Sequence, residues 1–528
     1  MLCSPAAAQT PFVSKVWSPD NGDGTYKNPI IHADYSDPDI VRVGEDFYMT
    51  ASSFNSIPGL PILHSKDLVN WRLINHALRE QEPREVFARP QHGGGVWAPS
   101  IRFHNGEFYI YYGDPDFGIY MTKAKDPAGE WSRPLLVKEA KGWIDPCPLW
   151  DEDGRAYLVH AFAGSRAGIK SVLVVNRMSA DGTKLLDDGV MVFDGHESHP
   201  TVEGPKFYKR DGYYYIFAPA GGVPTGWQLV LRSKSIYGPY EEKIVLEQGK
   251  TAINGPHQGG LVDTPDGKEW WFVHFQDRGA YGRIVHLQPA VWKNGFPVIG
   301  SDPDGNGTGE PVMRFKKPNV GRAYPIETIP DSDEFNDAEI GPQWQWHANS
   351  RAEWAFAFPQ SGVLRMNSVQ LPEDFRNLWD VPNLLLQKFP AEEFTATAKV
   401  KLTPRFEGEK FGLVVMGLDY SYISVTSKTG KLYVGQSNAR DADKRLAEVD
   451  NVPVLLTSND VYLRVKVTAG AMYAFSFSID GKTFTNVGVQ TKAREGRWIG
   501  AKLGFFFSRP GKFNDAGSAD IDWIRFER

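Results

Sequence analysis

Asp211-Gly212-Tyr213-Tyr214-Tyr215-Ile216-Phe217 is a turn pair followed by an aromatic, apolar run. An Asp-Gly pair supplies the positive φ angles of a tight hairpin, and the run after it suits a pleated, half-buried strand. Four other segments repeat the pattern: Gly44 before Phe47-Tyr48-Met49, Asn105-Gly106 before Phe108-Tyr109-Ile110-Tyr111-Tyr112, Asp153-Gly154 before Tyr157-Leu158-Val159, and Asp266-Gly267 before Trp270-Trp271-Phe272-Val273. The turn glycines stand at 44, 106, 154, 212 and 267, in steps of 62, 48, 58 and 55 residues. A period of ~50 residues with several strands per unit points to propeller blades rather than solenoid coils. Five units within residues 25–310 predict a five-bladed β-propeller. A β-sandwich with chance hairpins is the alternative, and the regular spacing disfavours it.

Beyond that region the repeat stops. Residues 301–310 (SDPDGNGTGE) are polar and glycine-rich, and prolines follow at 311, 318, 325 and 330, so 311–332 reads as a linker. From 333 to 528 strand-like runs return without the period, around another Asp-Gly turn at Asp480-Gly481, and predict one β-sandwich of the concanavalin A-like or jelly-roll kind. The whole chain is therefore all-β. Aromatic residues at 13% beside a mildly acidic surface suit sugar faces as well as a core. A net charge of −6 argues against nucleic acid or an anionic membrane as partner. No apolar run approaches the ~18 residues of a spanning helix. Two cysteines, Cys3 and Cys147, exclude a disulfide framework and a thiolate zinc site. Residues 1–24 are set apart as an export-signal remnant or disordered terminus. Ala6-Ala7-Ala8 before Gln9 looks like a signal-peptidase site without its upstream regions, and the expected location is periplasmic or extracellular.

Seven to ten residues before each turn glycine stand Asp37, Trp97, Asp145, Glu203 and His257. In a propeller the first strand of each blade lines the axis, so these positions ring one end of the channel. Three are carboxylic acids, each with a proline close behind: Asp37-Pro38, Asp145-Pro146 and Glu203-Gly204-Pro205. Converging carboxylates raise one another's pKa, which creates an acid beside a base, the machinery of glycoside hydrolysis. A lone Asp-Pro is a turn, but three in matching register are harder to dismiss. A calcium site is the competing functional reading, since clustered carboxylates also bind hard cations.

The segments Asp34-Tyr35-Ser36-Asp37-Pro38-Asp39, Ser65-Lys66-Asp67-Leu68-Val69-Asn70-Trp71, Trp97-Ala98-Pro99-Ser100, Trp143-Ile144-Asp145-Pro146, Val202-Glu203-Gly204-Pro205 and Gly255-Pro256-His257-Gln258-Gly259-Gly260 resemble, in this order, glycoside hydrolase family 43. The resemblance implies an inverting hydrolase with Asp37 as general base, Glu203 as general acid and Asp145 orienting the acid. Asp34 and Asp39 flank the base and are assigned to the turn. Phe54 and Trp97 are candidate apolar walls. Arg283 matches a family position that contacts sugar hydroxyls, with a surface ion pair as the alternative. Gln258, Gln276 and Trp227 are further pocket candidates, and Cys147 reads as a small buried group. His257 on the axis can hold a calcium in relatives, largely through waters, so Ca²⁺ is optional and no cofactor is required; a satisfied neutral histidine is the alternative. Asp333, Glu334 and Asp522 are a second calcium candidate. A sandwich loop closes the pocket in relatives, and Ser508-Arg509-Pro510-Gly511-Lys512-Phe513 is the candidate here. The expected activity is exo-release of terminal α-L-arabinofuranose or β-D-xylose from plant cell-wall oligosaccharides, leaning to arabinofuranose on the likeness of residues 255–260 and 276–283. A β-xylosidase alone, an endo-arabinanase, and a non-catalytic sugar-binding propeller remain alternatives.

Overall fold

The computed structural model describes residues 11–528. Residues 39–299 form five four-stranded antiparallel sheets, each built from four consecutive strands. The first strands of blades 1 to 5 are Asp39–Val43, Trp97–His104, Trp143–Trp150, Lys206–Arg210 and His257–Asp263. They pack around a common axis, and the first strand of blade 5 returns to that of blade 1. The turn reading explains the geometry. Asn105 and Gly106 have φ of 48° and 78°, and Asp211 and Gly212 have 52° and 75°. Two left-handed residues in a row make the turn whose twist matches its strands.

The ring is closed by the segment ahead of blade 1. Ile31 bridges Val285 on the third strand of blade 5. Tyr26 Oη and Asn28 Nδ2 both donate to Leu287 O at 2.8 Å. The connector is tied to the same seam, because Arg314–Lys316 pairs antiparallel with Thr25–Lys27. The leader-like Met1–Thr10 lies outside the described residues. Residues 11–24, grouped with it above as a terminal tail, are instead anchored: Val16 is buried in the sandwich core, and Ser14 Oγ donates to Asp331 at 2.5 Å.

The second unit stacks a seven-stranded sheet on a nine-stranded one. Alternate residues of Phe394–Thr403, Asp460–Thr468 and Lys502–Arg509 meet in a single core. Phe505 lies 5.8 Å from Phe411 and 5.6 Å from Trp344, centroid to centroid. Truncating such a ring to alanine costs about 3–5 kcal/mol. The two units share backbone hydrogen bonds: Ile57 pairs with Trp346, and Ala501 N donates to Ala280 O at 2.8 Å. The sandwich is thus fixed to the end of the propeller where the predicted ring of carboxylates stands.

Candidate active site

Three of the five blade-opening strands are bulged where candidate residues sit. The pairing register slips between Trp97 and Ser100, between Ile144 and Cys147, and between His257 and Gly259. Ala98, Asp145 and Gln258 occupy these bulges with φ of 31°, 58° and 34°, and Asp37 (53°) and Phe54 (49°) are left-handed as well. Each such conformation costs of order 1–3 kcal/mol in a non-glycine residue and is retained where it aims a side chain. Here they aim into one pocket of 120 Å³, lined by Asp37, Asp145 and Glu203 together with Phe54, Trp97, Ala98, Ile144, Val223, His257, Gln258, Arg283 and Trp498. That is the scale of the ~150 Å³ cavity that holds a single benzene ring, and well short of the space a sugar chain needs.

Three donors converge on Asp37. Ser36 Oγ and Ser52 Oγ each donate to its Oδ2 at 2.6 Å, and Arg283 Nη1 stands 3.2 Å from Oδ1. That arrangement suits a carboxylate, which only accepts. Asp145 is buried, and its Oδ2 accepts the N–H of Gly204 at 2.7 Å. The bond fixes the peptide next to Glu203. Gly204 is left-handed at 58°, and a Cβ there would meet the Gln258 side chain. Burial pushes Glu203 well above the usual carboxylate range, with the charges of Asp145 and Asp37 adding to the rise and Arg283 and Lys170 opposing it. Asp145 is raised by burial and by Asp37, against the Gly204 N–H, Lys206 and Arg283. Both shifts run toward the protonated form, and the Glu203 carboxyl, raised by both neighbours, faces the pocket.

Around them, buried polar atoms await a partner: both ring nitrogens of His257, Gln258 Nε2 and Arg283 Nε. Burial, reinforced by Arg283, lowers His257 to about 3, so the imidazole is neutral, 3.4 Å from Glu203 Oε1. A polyhydroxylated ligand could satisfy this set of donors and acceptors. The mouth is aromatic. Trp97 is crossed by the Arg166 guanidinium at 5.7 Å and met edge-on by Trp498 at 6.3 Å. Trp498 comes from the sandwich, is 52% exposed, and has a φ of 65°. A hollow of 330 Å³ at the opposite end of the axis contains Asp263, already paired with Arg42 at 2.8 Å.

Residues 26–297 match the family described as Glycosyl hydrolases family 43, and residues 332–527 match the Beta xylosidase C-terminal Concanavalin A-like domain. This chain is a family 43 glycosyl hydrolase. A Xylanibacter ruminicola protein, whose beta-xylosidase name is itself provisional, is 43% identical to the hydrolase over 93% of this chain and 88% of that protein. A non-reducing end alpha-L-arabinofuranosidase of Bacteroides ovatus is 30% identical over 95% of this chain and 94% of its own length. The solved structure of a xylan beta-1,4-xylosidase from Bacillus halodurans is 25% identical, with a TM-score of 0.83 over 95% of this chain and 100% of that one.

Several expectations are corrected in the hydrolase. Trp227 is absent from the pocket lining: its Nε1 donates to His199 Nδ1 at 3.1 Å, and its ring packs over Gly221. Gln276 lies behind the wall, with its Nε2 bonded to Ala252 O and Asn254 Oδ1 and its Oε1 meeting His286. The sandwich loop at the pocket is the one carrying Trp498, not residues 508–513, where Phe513 stacks on Phe406 at 4.0 Å. Trp498 has no signal at blade spacing. A tryptophan between Gly496 and Gly500 in a loop was the available clue.

The calcium readings do not fit either. Among the described residues no three His, Cys, Asp or Glu side chains are grouped to hold a metal. His257 brings no oxygen of its own, so a calcium beside it would have to draw most of its six to eight oxygens from water. The axis already carries cations: buried Lys206 reaches from blade 4 to Pro99 O of blade 2 at 3.0 Å, and Arg102 pairs with Asp39 at 2.6 Å. Asp333 is taken up by Gln343, Trp344 and the Phe335 N–H, Glu334 by Arg525, and Asp522 by Lys399.

Proposed function

We propose that the hydrolase releases single terminal pentoses, β-D-xylose or α-L-arabinofuranose, from plant cell-wall oligosaccharides, with inversion. Asp37 is the general base and deprotonates the attacking water. Glu203 is the general acid and protonates the leaving oxygen, and Asp145 orients Glu203 through the Gly204 peptide and keeps its proton on. The observation that carries this reading is the contrast inside one pocket: a carboxylate clasped by three donors, and a carboxyl held protonated by burial and by its neighbours. Water attacks carbon as Asp37 takes its proton. The glycosidic C–O bond breaks as Glu203 delivers its own, so both groups end in swapped protonation states and reset through solvent.

Exo action is supported by a space for one small ring walled by both units. An open groove for a chain would have favoured the endo reading. Relatives named for xylosides and for arabinofuranosides both align along nearly the whole chain, and the more identical ones carry xylosidase names. That moves the lean from arabinofuranose to xylose. The test is the initial hydrolysis rate on p-nitrophenyl β-D-xyloside and α-L-arabinofuranoside, with Glu203→Gln as the blank. The expected result is a signal on at least one sugar that falls by ~10²-fold or more in a folded Glu203→Gln protein. A signal unchanged in that variant overturns the assignment.

A further inference from the structure

Asp34 stands three residues before the base and was assigned above to the turn. It is 4% exposed, and both of its oxygens are committed to backbone N–H groups on different units. Oδ1 accepts from Arg283 N at 2.9 Å, and Oδ2 accepts from Gly500 N at 2.9 Å. The first contact holds the residue whose guanidinium grips Ser36 and Asp37. The second holds the sandwich loop two residues beyond Trp498. The approach is close. A Cβ at Gly282 would fall 2.5 Å from the Asp34 side chain, and one at Gly500 would fall 2.6 Å from Gly282 N. The glycines let three backbones meet around one carboxylate.

We infer that Asp34 is a positioning residue, a latch that ties the sandwich loop bearing Trp498 to the Asp37–Arg283 pair and so fixes the wall that shapes the pocket around a terminal sugar. The inference rests on the hydrolase reading above. Trp498 is half exposed and left-handed, and on its N-terminal side the loop bonds within the sandwich: Gly496 N to Ile499 O, and Leu418 N to Glu495 O. Its hold on the propeller is the Ala501 N to Ala280 O bond at the far end, the ring contacts of Trp498 with Trp97 and Arg283, and, between them, the Asp34 carboxylate on Gly500 N. A carboxylate is the one short side chain that accepts two N–H bonds with two equivalent oxygens. Asparagine at this position would turn an N–H toward an N–H and release one of the two partners.

The test is a double-variant cycle on the aryl pentoside that the wild type cleaves. Asp34→Asn is expected to raise KM about tenfold while kcat changes less, because the lost contact shapes binding rather than proton transfer. Trp498→Ala is expected to do the same. The double variant should match Trp498→Ala within about twofold, since both act through one element. Kinetics of Asp34→Asn within twofold of wild type, or effects that multiply in the double variant, would overturn the latch. Hydrogen exchange of the unmodified protein gives an answer even if the variant does not fold. The Gly500 amide should exchange as slowly as that of Arg283, and rapid exchange at Gly500 would also overturn the proposal. That readout needs no turnover, so it separates failure of the latch from failure of the hydrolase reading, which Glu203→Gln reports.

Discussion

Asp37 and Asp39 are separated by one proline and lead opposite lives. Asp39 points down the axis, where its Oδ2 accepts from Ile101 N at 2.8 Å and from Arg102 Nη1 at 2.6 Å. Arg102 also donates to Cys147 Sγ at 2.9 Å and lies over the Tyr208 ring at 5.1 Å, so four blades are stitched around one ion pair. Asp37 points up, into a pocket lined by three carboxylates, of which Asp37 is the one in contact with the Arg283 guanidinium. The lower half of the axis balances its charges and is structural. The upper half leaves an excess of carboxylates, and a proton fills the difference. A count of acids against bases within one layer separates the two, whereas burial alone does not, since both halves are buried.

The largest effect expected from breaking this contrast is in the lower half. Arg102→Met leaves Asp39 buried without its counter-ion and should cost about 3–5 kcal/mol of stability, seen as a fall in denaturation midpoint, while turnover per folded molecule stays near wild type. Adding Asp39→Asn should recover much of the loss, because a neutral amide tolerates the site. A midpoint that does not move in Arg102→Met would mean that the pair does not bind the blades together. The mirror experiment, Glu203→Gln in the upper half, should leave the midpoint in place and remove turnover.

A smaller effect sharpens the upper half. Turnover requires protonated Glu203, so activity should fall as pH rises through its raised pKa, giving an alkaline limb above the usual carboxylate range. Asp145→Asn removes a negative neighbour, makes Glu203 easier to ionise, and should move that limb down by about one pH unit. The amide oxygen of Asn can still accept the Gly204 N–H, so geometry is largely kept. A limb that stays in place would assign it to another group.

The blades were legible because hairpins need left-handed residues and only a few residue types supply them, so Asn105-Gly106 and Asp211-Gly212 announce their turns locally. Asp37, Asp145 and Glu203 were legible for a related reason. A propeller repeats its axis position at a fixed offset from its turn, and the pocket lining contains all three. Trp227 and Gln276, named as pocket candidates, are drawn away because their side chains are claimed by His199 and by residues 252–254. Trp498 and Asp34 depend on contact between units more than 400 residues apart in sequence, as in the Asp34–Gly500 bond. No local pattern encodes such a meeting. Ser65-Lys66-Asp67-Leu68-Val69-Asn70-Trp71 shows the converse. Its family likeness reflects a turn that satisfies itself, with Asp67 Oδ1 accepting from Val69 N and Asn70 N, far from any substrate.

The smallest expected effect concerns metal. His257 sits where an axial ion would, and its ring nitrogens are unpartnered, which invites a cation. Against this, Lys206 already brings a positive charge to the axis, bonded there to a neutral carbonyl, and a divalent ion would be repelled by it. Lys206 also works on the site in the direction a cation would, drawing the pKa of Asp145 down against burial. The chain's own ammonium thus supplies the field for which a bound ion would otherwise be needed. Chelation with EDTA should therefore change turnover by less than about twofold, and added Ca²⁺ should do no more. A several-fold loss on chelation that Ca²⁺ restores and Mg²⁺ does not would show that His257 recruits a hydrated ion despite the lysine, and the balance of charges drawn for the upper half of the axis would then have to include it.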